Sequence, residues 1–365
     1  MIKNARIVSI DTNPLTYHTQ KVEDRGKLNY AISSSDLRLF AGCPSKWKHG
    51  FEVAPSASLE YGNLFDTLVL TPGDFNKRFI LQPTTYFTSA LKCPSCGSIT
   101  DSSTCRKCKV ERVPVDIENP WSNKSDTCRE WVEQQKAAGL EVVSQDELKE
   151  AQDAKARLLA DEQCRLFIEN CDKQVLVTAE WHDEATGLVI PIRCLIDLAS
   201  KPDGLFPKSL GDLKTTKSAA ITAWAKWAHF AGYDIQAAWN TDLFVAATKR
   251  EITDFCFVLS ENTFPWEIGR RYMSQDILEP AMDTGDIASG RRQYKRIMAD
   301  YCQCVKRNVW PGYDATDESS STGWTLVTPN PYDEQRRMFA PRYNFEEPEP
   351  ENEGIPEDPN GDVTP

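Results

Sequence analysis

The 365-residue chain reads as an α/β protein: a mixed central sheet flanked by helices, with a small zinc-ribbon insertion. Three observations predict this. Short β runs occupy residues 174–181, 188–196, 209–216 and 252–259. Stretches with helical spacing of apolar residues separate or flank them, notably 61–70, 144–169 and 273–307. Two Cys-x₂-Cys pairs, Cys93/Cys96 and Cys105/Cys108, stand in one polar, turn-rich segment. That spacing presents four thiolates to a single tetrahedral ion.

Composition sets the outer bounds. At 40% hydrophobic and 26% charged, the chain falls in the ordinary globular class. It has no apolar run of the roughly 18 residues that a membrane helix needs. Residues 1–6 lack the apolar core of a signal peptide, so a cytoplasmic protein is expected. The net charge of −12 looks unsuited to DNA, but its distribution matters more than its sum. From Phe345 to Pro365 there are eight acidic and no basic residues, which leaves the first 344 near −4. A mildly acidic body accommodates a local basic path and a carboxylate-lined metal site, while arguing against tight non-specific binding over the whole surface.

Taken in order, residues 1–29 are polar and read as an irregular segment. Ser33, Ser34, Ser35 and Asp36 offer N-cap groups for a helix through Leu37, Leu39 and Phe40. In the 61–70 helix, Leu64, Phe65, Leu68 and Val69 form an apolar face, and Asp66 falls away from Leu64 and Leu68. The cysteine segment, 93–108, cannot build a core of its own, so zinc would hold it; a redox pair or unligated cysteines is the other reading. Its basic residues, Arg106, Lys107, Lys109 and Arg112, would allow contact with DNA or another subunit. Ser144 and Glu147 make a capping box for a helix expected to reach residue 169, with Leu148, Ala151, Ala154, Leu158 and Leu159 facing inward.

The strand at 174–181 carries Glu180, read either as an acid near a metal or as an edge residue. A turn near Lys201, Pro202, Asp203 and Gly204 would fold the next two strands into a hairpin and bring Asp197 beside Asp212. Strand residues two apart share a face, so Asp212 and Lys214 would aim a carboxylate and an ammonium into one site. Two carboxylates and a lysine suit a hard ion such as Mg²⁺. The plainer alternative is a surface hairpin with solvated charges. Beyond it, Trp224, Trp227 and Phe230 form an aromatic stripe, read as core rather than a base-stacking surface. Tyr233 and Gln236 share a face of the next helix. A long helix over 273–307 is expected to close the fold, followed by an extension at 316–345 and a disordered acidic tail at 346–365.

The order strand–Asp197–hairpin–Asp212-x-Lys214–helix with Gln236 resembles the PD-(D/E)xK nuclease superfamily. Within it, the chain is similar to the exodeoxyribonuclease VIII (RecE-like) exonucleases of phages and prophages. The resemblance is carried by residues 61–72 with 75–79, by 180–187, by 212–216, by 232–238 and by Trp310-Pro311-Gly312-Tyr313; it spans about 30–315 as one nuclease domain. It implies a metal-dependent DNA exonuclease in a bacterial host cell. Such an enzyme resects linear double-stranded DNA to a 3′ single strand for a single-strand annealing recombinase, and could work as a homo-oligomer. By the same resemblance Asp197 and Asp212 hold Mg²⁺ or Mn²⁺, with help from the Leu213 backbone carbonyl. Lys214 activates water and stabilises the transition state, and Gln236 and Tyr233 position the strand. Arg193, four residues before Asp197, is a candidate phosphate contact. The family commonly has a metal-ligating histidine where this chain has Asp66, and aspartate oxygen also suits a hard ion. A non-catalytic DNA-binding or assembly subunit that keeps the fold is the alternative.

Overall fold

The computed structural model describes residues 1–17, 19–51, 56–275 and 286–313. Met1–Gly312 forms one unit; the second, Tyr313–Pro365, lies outside the described residues apart from Tyr313, and with it the expected extension and acidic tail.

The chain opens with β1 (Ile2–Ser9) and the short α1 (Pro14–Tyr17). Helices α2 (Ser34–Gly42), α3 (Pro44–Lys48), α4 (Ala57–Leu70) and α5 (Phe75–Arg78) follow. Next come β2 (Phe79–Leu81), β3 (Thr85–Lys92), β4 (Ile99–Thr100), β5 (Val113–Pro120), α6 (Asp126–Ala137) and β6 (Glu141–Val143). Helices α7 (Gln145–Ala160) and α8 (Glu162–Glu169) lead into β7 (Cys171–His182), β8 (Val189–Ser200) and β9 (Ser209–Thr216). The unit ends with α9 (Ile221–Phe230), α10 (Tyr233–Thr248), β10 (Asp254–Glu261), β11 (Ile268–Ser274) and α11 (Asp286–Arg307).

The central sheet has the order β1-β7-β8-β9-β10-β11. All its pairs are antiparallel except β9 with β10. Alternation divides its side chains between two cores. Leu210, Phe255, Phe257 and Leu259 join the core that also takes in Leu37 and Phe40 of α2, Trp239 and Phe244 of α10, and Tyr294 and Met298 of α11. Leu198, Leu213 and Val258 join the other, with Phe65 of α4, Leu158 of α7 and Phe167 of α8. Burying each such large apolar side chain is worth roughly 1.5–3 kcal/mol, so the sheet is clamped from both sides. Outside it lie a two-stranded β2–β6 pair and a three-stranded β4-β3-β5 sheet that carries the cysteine segment.

Four expectations change. Residues 1–29 are not wholly irregular: Ile2–Ser9 forms edge strand β1, paired with β7 across interruptions in register. Its mixed polar and apolar sequence hides it, because one edge of β1 faces solvent. The helix opened by Ser144 stops at Ala160, and Asp161 caps a second helix by accepting the Cys164 N–H at 3.0 Å. The segment at 273–307 is not one helix, since Met273 lies on β11 and the described helix begins at Asp286. The aromatic stripe is only partly core: Trp224 is buried, while Trp227 and Phe230 are exposed.

Candidate active site and a four-cysteine centre

The candidate active site lies where two paired strands part. β8 and β9 are joined at Leu198/Gly211 and Ala199/Leu210 and at no further register position. Past that point, Asp197 spans the gap with its side chain, its Oδ2 accepting the Leu213 backbone N–H at 3.1 Å. A carboxylate therefore stands where a strand-to-strand hydrogen bond would otherwise run. Gly204 closes the connecting turn by donating its N–H to the Lys201 carbonyl at 3.1 Å.

Asp212 and Lys214 do share a face of β9, and the ammonium pairs with Asp212 Oδ2. Asp212 is 2% exposed. Its Oδ1 accepts from Gln236 Nε2 of α10 at 2.6 Å. Tyr233, one turn earlier on α10, brings its ring centroid to 5.2 Å from Lys214 Nζ. Asp66 reaches the site from the opposite layer. Gly62, one turn before it, lets α4 approach β9 so closely that a Cβ there would lie 3.2 Å from Thr215 Oγ1. Asp66 consequently feels both the Lys214 and the Asp212 charges.

The electrostatics are those of a crowded anionic pocket. Burial, reinforced by the Asp212 charge, lifts Asp66 up to about 7 in spite of Lys214 and Arg78. Burial and then Asp212 hold Asp197 well above the usual carboxylate range. Burial works to lower Lys214, but the Asp212 and Asp197 carboxylates outweigh it and the ammonium is held in its charged form. Three carboxylates against one lysine leave an excess of negative charge if all ionise. All the ligating side chains offered are oxygen donors, and a hard divalent cation would balance them.

The remaining site candidates are less central. Arg193 is turned to the amino-terminal segment: its guanidinium lies 4.2 Å from the Tyr17 ring centroid and donates to the Tyr17 carbonyl at 2.6 Å. It lies four residue steps from Asp197, about 13 Å along β8, so it is not brought into the cluster. Glu180 pairs with Asn4 and His182 on the β1 side of the sheet.

Two residues that sequence reasoning overlooked do reach the site. Gln174 sits at φ +48° where the β7–β8 register skips a position. There it donates Nε2 to Asp197 Oδ1 at 3.3 Å, while its Oε1 is buried without a protein partner. An uncharged residue inside a strand gives no warning of this in sequence. Arg38 of α2 donates to the Ala231 carbonyl at 2.9 Å and lies 5.9 Å from the Tyr233 ring. Burial lowers its pKa, opposed by Tyr233 and Asp212, so it is a second cation beside the site.

The four cysteines converge independently of that pocket. Their Sγ atoms all lie within 4.8 Å of one another, and Cys96 Sγ is 3.7 Å from Cys105 Sγ. Tetrahedral zinc with bonds of about 2.3 Å demands an S···S edge of about 3.8 Å, so the set fits. Two matching turns build it. Gly97 donates its N–H to the Cys93 carbonyl at 2.9 Å, and Lys109 to that of Cys105 at 2.8 Å. Both turn residues are left-handed, with φ +73° and +58°. Cys93 and Cys105 are buried although the surrounding segment is exposed. Among the described residues no other group of three or more His, Cys, Asp or Glu comes together in this way, and Asp66, Asp197 and Asp212 are not drawn as closely together as the four thiols. Nor is any described helix long and apolar enough to cross a membrane.

A family profile described as a PDDEXK-like domain of unknown function (DUF3799) matches residues 31–319. No curated protein matches the chain. Among solved structures it is similar to a provisionally named exonuclease from Eubacterium rectale, at 15% identity and a TM-score of 0.48, covering 91% of this chain and 100% of that one. It is also similar, more distantly, to Rai1 of Scheffersomyces stipitis, at 9% identity and a TM-score of 0.21, with coverages of 66% and 59%. The family match spans most of the chain and includes every strand of the central sheet but β1, together with both carboxylates and the lysine of the β8–β9 opening: the chain belongs to the PDDEXK-like DUF3799 family.

Proposed function

We propose that this protein is a divalent-metal-dependent exodeoxyribonuclease that hydrolyses phosphodiester bonds in linear duplex DNA. One observation carries the reading: Asp197, Asp212 and Lys214 converge at the parted β8–β9 strands, with Gln236 holding the buried Asp212. Asp66, Asp197 and Asp212, with the Leu213 carbonyl, would hold Mg²⁺ or Mn²⁺. The ion, when bound, supplies Lewis-acid neutralisation of charge at the scissile phosphate.

The protein's own groups do the rest. Lys214 is kept protonated by its carboxylate neighbours. It is therefore suited to orient the attacking water and to donate hydrogen bonds to the phosphoryl oxygens as negative charge builds on them. Gln236 fixes the Asp212 carboxylate in one orientation. Tyr233 and Arg38 border the lysine on its α10 and α2 sides and can line the path of the DNA backbone. The four-cysteine centre would hold a structural zinc, because four thiolates leave no open position.

A finer reading follows from the exodeoxyribonuclease VIII resemblance. The enzyme would act in the bacterial cytoplasm, leave a 3′ single strand, hand it to an annealing recombinase and work as a homo-oligomer. The test uses end-labelled linear duplex and covalently closed circular DNA, each with Mg²⁺ and with chelator. Degradation of the linear form alone, abolished by chelator, is expected. Equal attack on the closed circle would make it an endonuclease. Inertness towards both, with DNA still bound, would leave a non-catalytic subunit.

A further inference from the structure

Helix α9 begins five residues after the catalytic strand and presents two unlike faces. Trp224 is buried, its ring 5.4 Å from Tyr233, whose own ring lies 5.2 Å from Lys214 Nζ. Trp227 and Phe230 lie about 60° and 120° farther round the helix at 3.6 residues per turn. They are 51% and 81% exposed, with ring centroids 5.5 Å apart and planes inclined by 36°. Most large aromatic side chains are covered, and two adjacent uncovered ones mark a contact surface.

Charge indicates what the surface would meet. From Leu213 to Tyr233 the chain has no acidic residue, although 54 in 365 would place about three there. The same stretch carries Lys214, Lys217 and Lys226, and the last two are exposed. The strip is acid-free in sequence though not in space, since Asp286 Oδ1 lies 3.5 Å from His229 Nε2 and Glu261 accepts the Ala219 N–H. Its exposed lysines and uncovered rings, on a mildly acidic body, complement a polyanion that also offers flat apolar faces. Single-stranded nucleic acid has both properties. Duplex DNA hides its base faces everywhere except at its ends.

We propose that Trp227 and Phe230 form a stacking platform for the unpaired bases of a single DNA strand whose backbone passes along Lys217 and Lys226 towards the Lys214 site. This rests on the nuclease reading for the direction of the strand, but the platform can be measured without turnover. Full-length protein in chelator is titrated with a labelled oligothymidylate, with an oligonucleotide containing 2-aminopurine, and with covalently closed duplex. Trp227→Ala/Phe230→Ala is compared with the parent and with Trp227→Phe. The double variant is expected to lose about 10–100-fold in oligothymidylate affinity and the stacking quench of 2-aminopurine. Its binding to closed duplex, which offers no free base, should stay within about threefold of the parent's. Trp227→Phe should retain most of the single-strand affinity. Both side chains are exposed, so the variants should fold, which thermal melting checks.

Oligothymidylate affinity equal to the parent's in the double variant overturns the platform. So does a parent that self-associates in sedimentation, with the double variant monomeric and single-strand binding unchanged: the rings would then be an interface between copies. The nuclease reading is judged apart, by metal-dependent cleavage in the parent. Cleavage with no effect of the double variant sinks the platform alone, and stacking without cleavage sinks the nuclease alone.

Discussion

The β8–β9 opening and the four-cysteine centre both gather side chains suited to hold a metal, but they are built in opposite ways. At the opening, each functional group projects from an element already fixed by an apolar core. β9 is held through Leu210 in one core and Leu213 in the other, and α4 by Phe65 and Val69. The cysteine segment has no such support. Only Cys93, Cys105 and Arg112 are buried within it, and its strand β4 has two residues, both exposed. In the first case the fold makes the site, so a metal can be reserved for chemistry. In the second a metal would make the fold, as in small zinc domains that are unfolded without their ion.

The largest effect that would break this contrast is expected at Lys214. Lys214→Ala should lower Mg²⁺-dependent DNA hydrolysis by at least about a hundredfold, the scale of one lost transition-state charge. It should keep the parent's circular dichroism, since the β9 backbone is held by Leu210 and Leu213 rather than by the ion pair. Turnover at the parent's rate would remove Lys214 from the mechanism. Collapse of the fold would show that the site helps to hold the sheet.

Asp66 comes next. It belongs to α4, across the sheet from Gln236, so it tests whether the two layers share one metal. Asp66→Ala should shift the Mg²⁺ titration of the rate by about 10–100-fold, whereas Asp66→His should keep activity and move metal preference towards softer ions. An unshifted titration in Asp66→Ala would leave the metal to the sheet carboxylates alone. Gln174→Ala should weaken Mn²⁺ binding, read by calorimetry, by about tenfold. The side chain donates its hydrogen bond to the candidate ligand Asp197, and such supporting hydrogen bonds contribute on that scale. Rescue by Gln174→Asn would argue against a fixed reach for the amide.

At the other region, elemental analysis of the parent should find one zinc per chain, and Cys105→Ser should release it. The substitution should speed hydrogen exchange across β3–β5 while leaving the amides of β7–β10 protected. Exchange spreading into β7–β10 would show that the module supports the main fold after all.

Legibility in the sequence followed the same division. The cysteine spacing was readable because both turns are local, each knuckle closing within five residues. Asp212-x-Lys214 was readable because a two-residue period is itself a statement about one strand face, and the Ser144–Glu147 capping box because both of its hydrogen bonds span three residues. What escaped depends on distant partners. β1 is a strand because β7 lies beside it, some 170 residues on. Gln174 matters because a register skip turns it towards Asp197. Trp227 and Trp224 are the same residue type three positions apart, and only the location of Tyr233 and Phe257 decides which one is covered.

The smallest effect is the response to pH, and it should differ in sign between the empty carboxylate pocket and the zinc-loaded cysteine centre. An unfolded aspartate titrates near 3.8, whereas burial and Asp212 push Asp66 up to about 7 and Asp197 well above its ordinary range. Between about pH 4 and 7 the metal-free folded protein therefore keeps protons that the unfolded chain has released. Stability falls with rising pH wherever the folded state binds the more protons. The contribution of these two carboxylates is thus fully present below about pH 4 and lost as pH climbs through about 7. A divalent ion competes with those protons, so it should bind more tightly as pH rises and restore what the empty pocket loses. The gap in thermal midpoint between Mg²⁺-loaded and metal-free protein should widen by a few degrees, roughly, from pH 5.5 to 8. Taking the gap cancels groups elsewhere in the molecule. The cysteine centre should follow the loaded pocket and oppose the empty one: its thiolates must be deprotonated to hold zinc, so its ion should be lost as pH falls. Melting curves at both ends of the range, with zinc release followed by a colorimetric chelator, measure the two together. A midpoint gap that stays constant or narrows with pH would mean that Asp66 and Asp197 are already ionised in the folded, metal-free protein, and that Lys214 and Arg38 offset their charge without a metal.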